Sequence, residues 1–189
     1  VCLGMIIGAD YVLLGHELSP KRRVYLKILE GKITRIYESL PGHVDEYFED
    51  SLIVPGFINM HTHIADAIAR ERAYGLSVKE AVAPPEGLKH RILRTADAED
   101  IAHAMRTAIL EMFSYGITTF VDFREGGIRG VRLLRKIAEE LGANTIILGR
   151  LNGSNIKELL NVADGIGLPS INSLDDEDLK YIGRVAKRM

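Results

Sequence analysis

Glutamine and tryptophan are absent from the 189 residues, and cysteine occurs once. A single thiol excludes an internal disulfide, so packing has to hold the fold together. Such cysteine usage suits a reducing compartment, and a cytoplasmic location is the expectation. Cys2 lies in an apolar, strand-like run, which marks it as a packing residue and not a nucleophile. No apolar stretch reaches the roughly 20 residues that a membrane-crossing helix needs, so no membrane partner is expected. The opening Val1-Cys2-Leu3-Gly4-Met5-Ile6-Ile7-Gly8 has neither the cationic segment nor the cleavage site of a signal peptide. Charge of one sign is also lacking. Lys and Arg number 24 against 26 Asp and Glu, for a net charge of -2 with both signs interspersed, which gives no reason to expect nucleic acid as a partner. Few side-chain amides beside many charges is a habit of heat-stable proteins, and thermostability is expected on that ground.

What is present is enough for a packed core. Hydrophobic residues make up 47% of the chain and charged residues 26%. Residues 1–51 look all-β, with five short strands broken by Gly8-Ala9-Asp10, by Glu30-Gly31 in hairpin position and by Pro41-Gly42. Five short strands bury little by themselves, so this segment is expected to be part of a small β-sandwich domain. From residue 52 to 189 the rhythm changes to strand then helix. Leu52 to Asn59 reads as a buried strand and Ile64 to Arg72 as a helix, with Ser77 to Leu93 irregular. Glu99 to Tyr115 carries Ile101, Met105, Ala108, Ile109, Met112 and Phe113 on one helical face and stops at Gly116. Ile117 to Phe123 is a β-branched and aromatic strand. Ile128 to Leu141 is a second amphipathic helix, stopped by Gly142. Thr145 to Leu151 and Gly165 to Leu168 read as strands, separated by a short helix from Ile156 behind Ser154 and Asn155. A last helix, from Asp175 to Arg188 and capped by Ser173, has acids in its first turn and Arg184, Lys187 and Arg188 in its last, the order that complements the helix dipole. Four β/α units in series imply an α/β fold with a parallel sheet, either an open doubly wound sheet or half of an eight-stranded barrel.

His61-Thr62-His63 follows Pro55-Gly56-Phe57-Ile58-Asn59-Met60 directly. Histidines at i and i+2 on a strand project from one face, so at the strand's end both imidazoles can converge on one cation. Neutral imidazole suits zinc and other borderline divalent metals. The spacing by itself fits two unrelated histidines at a strand end equally well.

The chain resembles the amidohydrolase superfamily, within it the cytosine-deaminase and chlorohydrolase-like enzymes. Three elements carry the resemblance: Pro55 to His63, Glu111 to Asp122, and the front β segment ending in Gly31-Lys32-Ile33. It implies the first half of a metal-dependent (β/α)8 TIM-type barrel preceded by part of a small β-sandwich. It implies one divalent metal, zinc before iron or manganese, with His61 and His63 as two ligands. The chemistry it implies is deaminase-type hydrolysis at a C–N bond of a small nitrogen-containing substrate, using water whose pKa the metal lowers toward neutrality. The family's remaining ligands lie on its fifth and eighth strands, and no residue here matches them; Asp164 to Pro169 on the fourth strand offers no bridging Lys or Glu, which favours a single metal. The expectation is a chain inactive by itself that works as a homo-oligomer or with a missing C-terminal half. A non-catalytic fragment or subunit acting only by association is the alternative, and an open-sheet nucleotide-binding domain is a further one.

Two substrate-binding candidates follow. Arg150, at the end of the third barrel strand, faces the loop-lined mouth and can hold a carboxylate or phosphate bidentately, or pair with a neighbouring acid. Glu86, in Pro84-Pro85-Glu86-Gly87, falls in the region where the resembling deaminases often contact substrate, and is equally a solvated loop acid. Asp122, Arg124 and Glu125 end the second barrel strand at the same mouth, where they can pair with each other. Gly126-Gly127-Ile128-Arg129-Gly130 misses the dinucleotide spacing, and Lys21-Arg22-Arg23 lacks the aromatic platform of a nucleic-acid surface.

Overall fold

Pro55 and Gly56 divide the apolar run from Leu52 to Asn59, which does not form one strand. Proline has no N–H to give a sheet ladder. The run therefore supplies the end of one strand, Glu46–Ile53, and the start of another, Phe57–Thr62. The two strands lie in different sheets, and the chain separates into compact units Val1–Pro55 and Gly56–Met189. The computed structural model describes residues 4–170, 172 and 174–186. Cys2, Ser173, Lys187 and Arg188, each given a role above, lie outside the described residues.

The first unit contains β1 (Met5–Leu14), β2 (Ser19–Leu29), β3 (Lys32–Tyr37) and β4 (Glu46–Ile53) in one sheet of order β3-β2-β1-β4. Neighbours β1, β2 and β3 are antiparallel, and β4 runs parallel to β1. The described residues thus form four strands where the sequence predicts five. The apolar stretches on either side of Gly8-Ala9-Asp10 are one continuous strand, and Gly8 lets Tyr25 cross it: a Cβ there would lie 2.4 Å from the Tyr25 ring. The turn at Glu30-Gly31 has both residues at positive φ, 50° and 74°, as a two-residue hairpin requires. Ala9, Val12, Val24 and Leu26 form this unit's small core.

The second unit is built on β5 (Phe57–Thr62), β6 (Ile117–Arg124), β7 (Asn144–Gly149) and β8 (Gly165–Ile166), all parallel, in the order β5-β6-β7-β8. A doubly wound sheet reverses its strand order at the ligand-binding crevice. Here the order runs straight through, so the described sheet has no such switch point. The segment after β5 departs from the sequence expectation twice. Ile64 to Ala73 forms two 3₁₀ turns instead of an α-helix. The stretch from Ser77, expected to be irregular, holds α1 (Val78–Val82) and α2 (Leu88–Thr95). The overlooked signal for α1 is a capping box in which Ser77 and Glu80 bond each other's backbone N–H.

Long helices α3 (Ala98–Ser114) and α4 (Gly127–Leu141) link β5 to β6 and β6 to β7, within a residue or two of the predicted bounds. Their apolar stripes bury Met105, Ile109, Val131, Leu134 and Ile137 against Phe120 and Ile147 of the sheet. Gly142 ends α4 at φ 66°. Short α5 (Ile156–Leu160) is capped by Asn155, whose side chain accepts from the N–H groups of Lys157 and Glu158. In α6 (Asp176–Ala186), the Asp178 N–H donates to the Asp175 carboxylate.

Candidate metal centre

Because the four strands are parallel, their carboxyl ends meet at one side of the sheet, and that side gathers the second unit's buried charges. Asp122 organises the end of β5. It pairs with Thr62 across the ladder and is fully buried. Its Oδ2 accepts the Ile64 N–H at 2.6 Å and the Thr62 hydroxyl at 3.0 Å, so one carboxylate holds both neighbours of His63. Arg124 Nη1 lies 3.5 Å from its other oxygen. Burial pushes the Asp122 pKa up, against the pull of Arg124, the Ile64 N–H and the Thr62 hydroxyl.

His63, just beyond the last residue of β5, points its Nδ1 at two acceptors: the Phe123 carbonyl and Glu125 Oε1, each at 3.2 Å. Neither donates a proton, so Nδ1 carries the hydrogen and, on a neutral ring, Nε2 keeps its lone pair. His61 is exposed and stacks on Phe123 at 4.5 Å between ring centroids. The two imidazole centroids are 5.4 Å apart. No hydrogen-bond partner occupies the His61 ring nitrogens among the described residues.

Glu125, 7% exposed, is the hub behind this pair. Its Oε1 receives Lys89 Nζ at 3.0 Å as well as His63, and its Oε2 receives Arg124 Nη2 at 3.0 Å. Lys89 also reaches Asp66 at 2.8 Å. Burial works to raise the Glu125 pKa, yet His63, Arg124 and Lys89 outweigh it and hold the carboxyl well below the usual range. Lys89 has no motif around it in the sequence, and only the folding of α2 brings it here.

Neither substrate-binding candidate contacts a histidine directly, although Arg150 approaches the Glu125 oxygen that His63 also meets. Arg150 Nε is 3.7 Å from Glu125 Oε1, and that nitrogen is buried with no hydrogen-bond partner among the described residues. The side chain lines a cavity of about 950 Å³ that also involves Leu93, Met105, Arg129 and Leu168 but neither histidine. Glu86 is 76% exposed on its loop and faces Arg94 at 3.8 Å. The remaining four histidines serve elsewhere: His16 and His43 are exposed beside Glu17 and Asp45, His90 bonds the Val82 carbonyl, and His103 is exposed on α3.

Two adjacent imidazoles, one with its far nitrogen anchored and its near nitrogen free, fit the donor type that a borderline divalent metal takes. They make half of a four-coordinate shell. Among the described residues, no group of three or more His, Cys, Asp or Glu is placed to hold a metal. No helix among them is long and apolar enough to cross a membrane.

Residues 52–166 match the family model described as the amidohydrolase family. An uncharacterized protein of Methanocaldococcus jannaschii is 36% identical over 172 residues, covering 86% of this chain and 45% of that protein. A 5'-deoxyadenosine deaminase of Methanosarcina acetivorans is 34% identical over 123 residues, 62% of this chain and 27% of that enzyme. A zinc-bound adenosine deaminase of Xanthomonas campestris superimposes with a TM-score of 0.70 at 15% identity, over 97% of this chain and 47% of the other, a likeness of fold. The chain spans about half the length of the curated relatives it matches.

Proposed function

Because the chain belongs to the amidohydrolase family, we propose that it carries the first ligands of a metal-dependent, deaminase-type hydrolase acting on a C–N bond of a small nitrogen-containing molecule. In this reading the four in-order strands are the first half of a (β/α)8 barrel and the front sheet is part of a β-sandwich. The observation that carries the proposal is the pair His61 and His63 at the carboxyl end of β5, the end where barrel enzymes place their chemistry.

His61 and His63 would hold one divalent ion, zinc first, with iron or manganese as alternatives that imidazole also accepts. Such an ion supplies Lewis acidity and brings the pKa of water toward neutrality. The residues described here prepare that site. Asp122 fixes the backbone on both sides of His63, and Phe123 presents a flat apolar wall to the His61 ring. Arg150, whose side chain is held among the described residues by a long contact to Glu125, would take a substrate carboxylate or phosphate, and Glu86 would meet substrate from its exposed loop. The other donors would come from further chain or from a partner. That requirement is the point in favour of the second reading, a subunit that acts only in association.

Zinc titration against a chromophoric chelator tests the proposal. The unaltered chain is expected to take up one equivalent. His61→Ala and His63→Ala are each expected to weaken binding by at least the 10- to 100-fold typical of losing even an outer-shell partner. Unchanged zinc affinity in both variants would overturn it. A deaminase assay with 5'-deoxyadenosine, carried out on the full-length protein, then tests the reaction class.

A further inference from the structure

The charge cluster around Glu125 is largely buried and touches only one of the two histidines. Glu125 is buried with three cations in direct contact or close to it on two sides, Lys89 at 3.0 Å and Arg124 at 3.0 Å, and Arg150 at 3.7 Å. Lys89 is 7% exposed and Arg124 1%. A structural ion pair would need one cation for one carboxylate, and replacing such a pair by apolar residues is often neutral for stability. Here Lys89 also reaches Asp66 and Arg124 also faces Asp122, so the cations are shared among three carboxylates, and what sets Glu125 apart is that it spends one oxygen on an imidazole. Lys89 comes from α2, Arg124 and Glu125 from the end of β6, and His63 from the end of β5, so three separate segments converge on that oxygen.

We propose that Glu125 is a positioning residue for His63. It fixes the ring's tautomer and rotation so that Nε2 faces the proposed metal, with Lys89 and Arg124 holding the Glu125 carboxylate in place. This rests on the reading of His61 and His63 as ligands. The Phe123 carbonyl shares the Nδ1 proton at 3.2 Å, but it is a neutral acceptor. The carboxylate adds a second, charged acceptor, and charge-assisted bonds are the stronger ones. Lys89 makes the arrangement depend on α2: its ammonium bonds Asp66 in the turn after His63 and Glu125 behind His63, closing a ring of contacts around the ligand. Outer partners of this kind set the orientation and basicity of a ligating imidazole.

The test reads the ring directly and needs no metal. Nitrogen-15 spectra of the full chain, free of metal, report which imidazole nitrogen of His63 bears the proton. The unaltered chain is expected to show the Nδ1–H form. Glu125→Ala is expected to mix in the Nε2–H form and to lower zinc affinity by 10- to 100-fold, while Glu125→Gln, which keeps an acceptor, restores most of the Nδ1–H form. Because Glu125→Ala leaves Lys89 and Arg124 short of a partner and can fail to fold, the paired variant Lys89→Met/Glu125→Leu removes one cation with the anion and is expected to show the same mixing. An Nε2–H ring in the unaltered chain overturns the inference. So does a tautomer that stays Nδ1–H in both Glu125→Ala and the paired variant, which would assign the role to Phe123. A tautomer that responds as described in a chain that binds no zinc supports the positioning and counts against the metal reading alone.

Discussion

Asp122 bears more of the local structure than either histidine, although it touches neither ring. It satisfies the Ile64 N–H and the Thr62 hydroxyl and faces Arg124, all in a site without water access. Asp122→Ala would orphan a buried N–H and leave Arg124 with one acid fewer, and losses of that kind cost about 3 kcal/mol. Urea unfolding is expected to show that loss, and Asp122→Asn, which still accepts from Ile64, a smaller one. An alanine variant as stable as the parent would refute this account. The sequence shows the histidine pair by spacing, and it shows that Asp122, Arg124 and Glu125 stand close enough to pair. It does not show Lys89, because Lys89 and Glu125 are 36 residues apart and meet only when α2 docks. Nor does it show that Glu125 is shared with His63, since the two follow different strands and no local pattern links them.

At the scale of elements, what the sequence makes legible is periodicity, and what it hides is interruption. Helices α3 and α4 have long stripes and glycine stops, and both are predicted nearly to the residue. The run from Leu52 to Asn59 has the right composition for one strand but crosses a Pro-Gly turn, so composition misleads there. Helices α1 and α2 are too short to show a stripe among prolines and glycine, and only the Ser77 and Glu80 box betrays the first. In the front sheet, two carboxylates clasp β4 to β1. Asp10 accepts from the Tyr47 hydroxyl at 2.8 Å and the Asp50 N–H at 2.7 Å. Asp45 accepts from the Ile6 N–H at 2.6 Å and contacts His43. Those hydrogen bonds hold both carboxyls below the usual aspartate value in the folded chain. A carboxyl whose folded pKa is depressed stabilises fully above its unfolded value, and loses that contribution as pH falls through the folded one. The β1–β4 pairing is therefore expected to loosen below about pH 4. Amide exchange of β4 followed from pH 6 to 3 is the measurement. Acid should speed it, beyond the intrinsic pH dependence of exchange, more than it speeds exchange in β2 and β3, and Asp10→Asn and Asp45→Asn should flatten the difference. Equal acid sensitivity in all four strands would contradict the clasp.

For the molecule as a whole, the informative feature is the order β5-β6-β7-β8, which shows no reversal among the described strands, the point on which the two architectures left open by the alternation of strands and helices differ. The order could not be read from the sequence, since both architectures use the same β/α units and differ only in which side of the growing sheet each unit joins. With that order, β5 and β8 are the edges of the described sheet. β8 is two residues long and offers little to pair with. β5 is six residues long and carries Phe57, Ile58 and Met60 at 58%, 61% and 66% exposure. An edge strand with apolar side chains and open backbone groups is a template for another chain, and natural edges are blunted by charge, which β5 lacks along its first four residues. This chain is accordingly expected to self-associate through β5. Sedimentation velocity between about 5 and 200 μM should show species larger than the 21.0 kDa monomer that grow with concentration. A lysine at an edge disfavours strand pairing, so Ile58→Lys or Met60→Lys should shift the profile toward monomer without changing the far-ultraviolet spectrum. A monomer across the whole range in the unaltered chain would mean that the β5 edge is covered by some other part of the protein, and the search for further ligands of the proposed metal would move to that part.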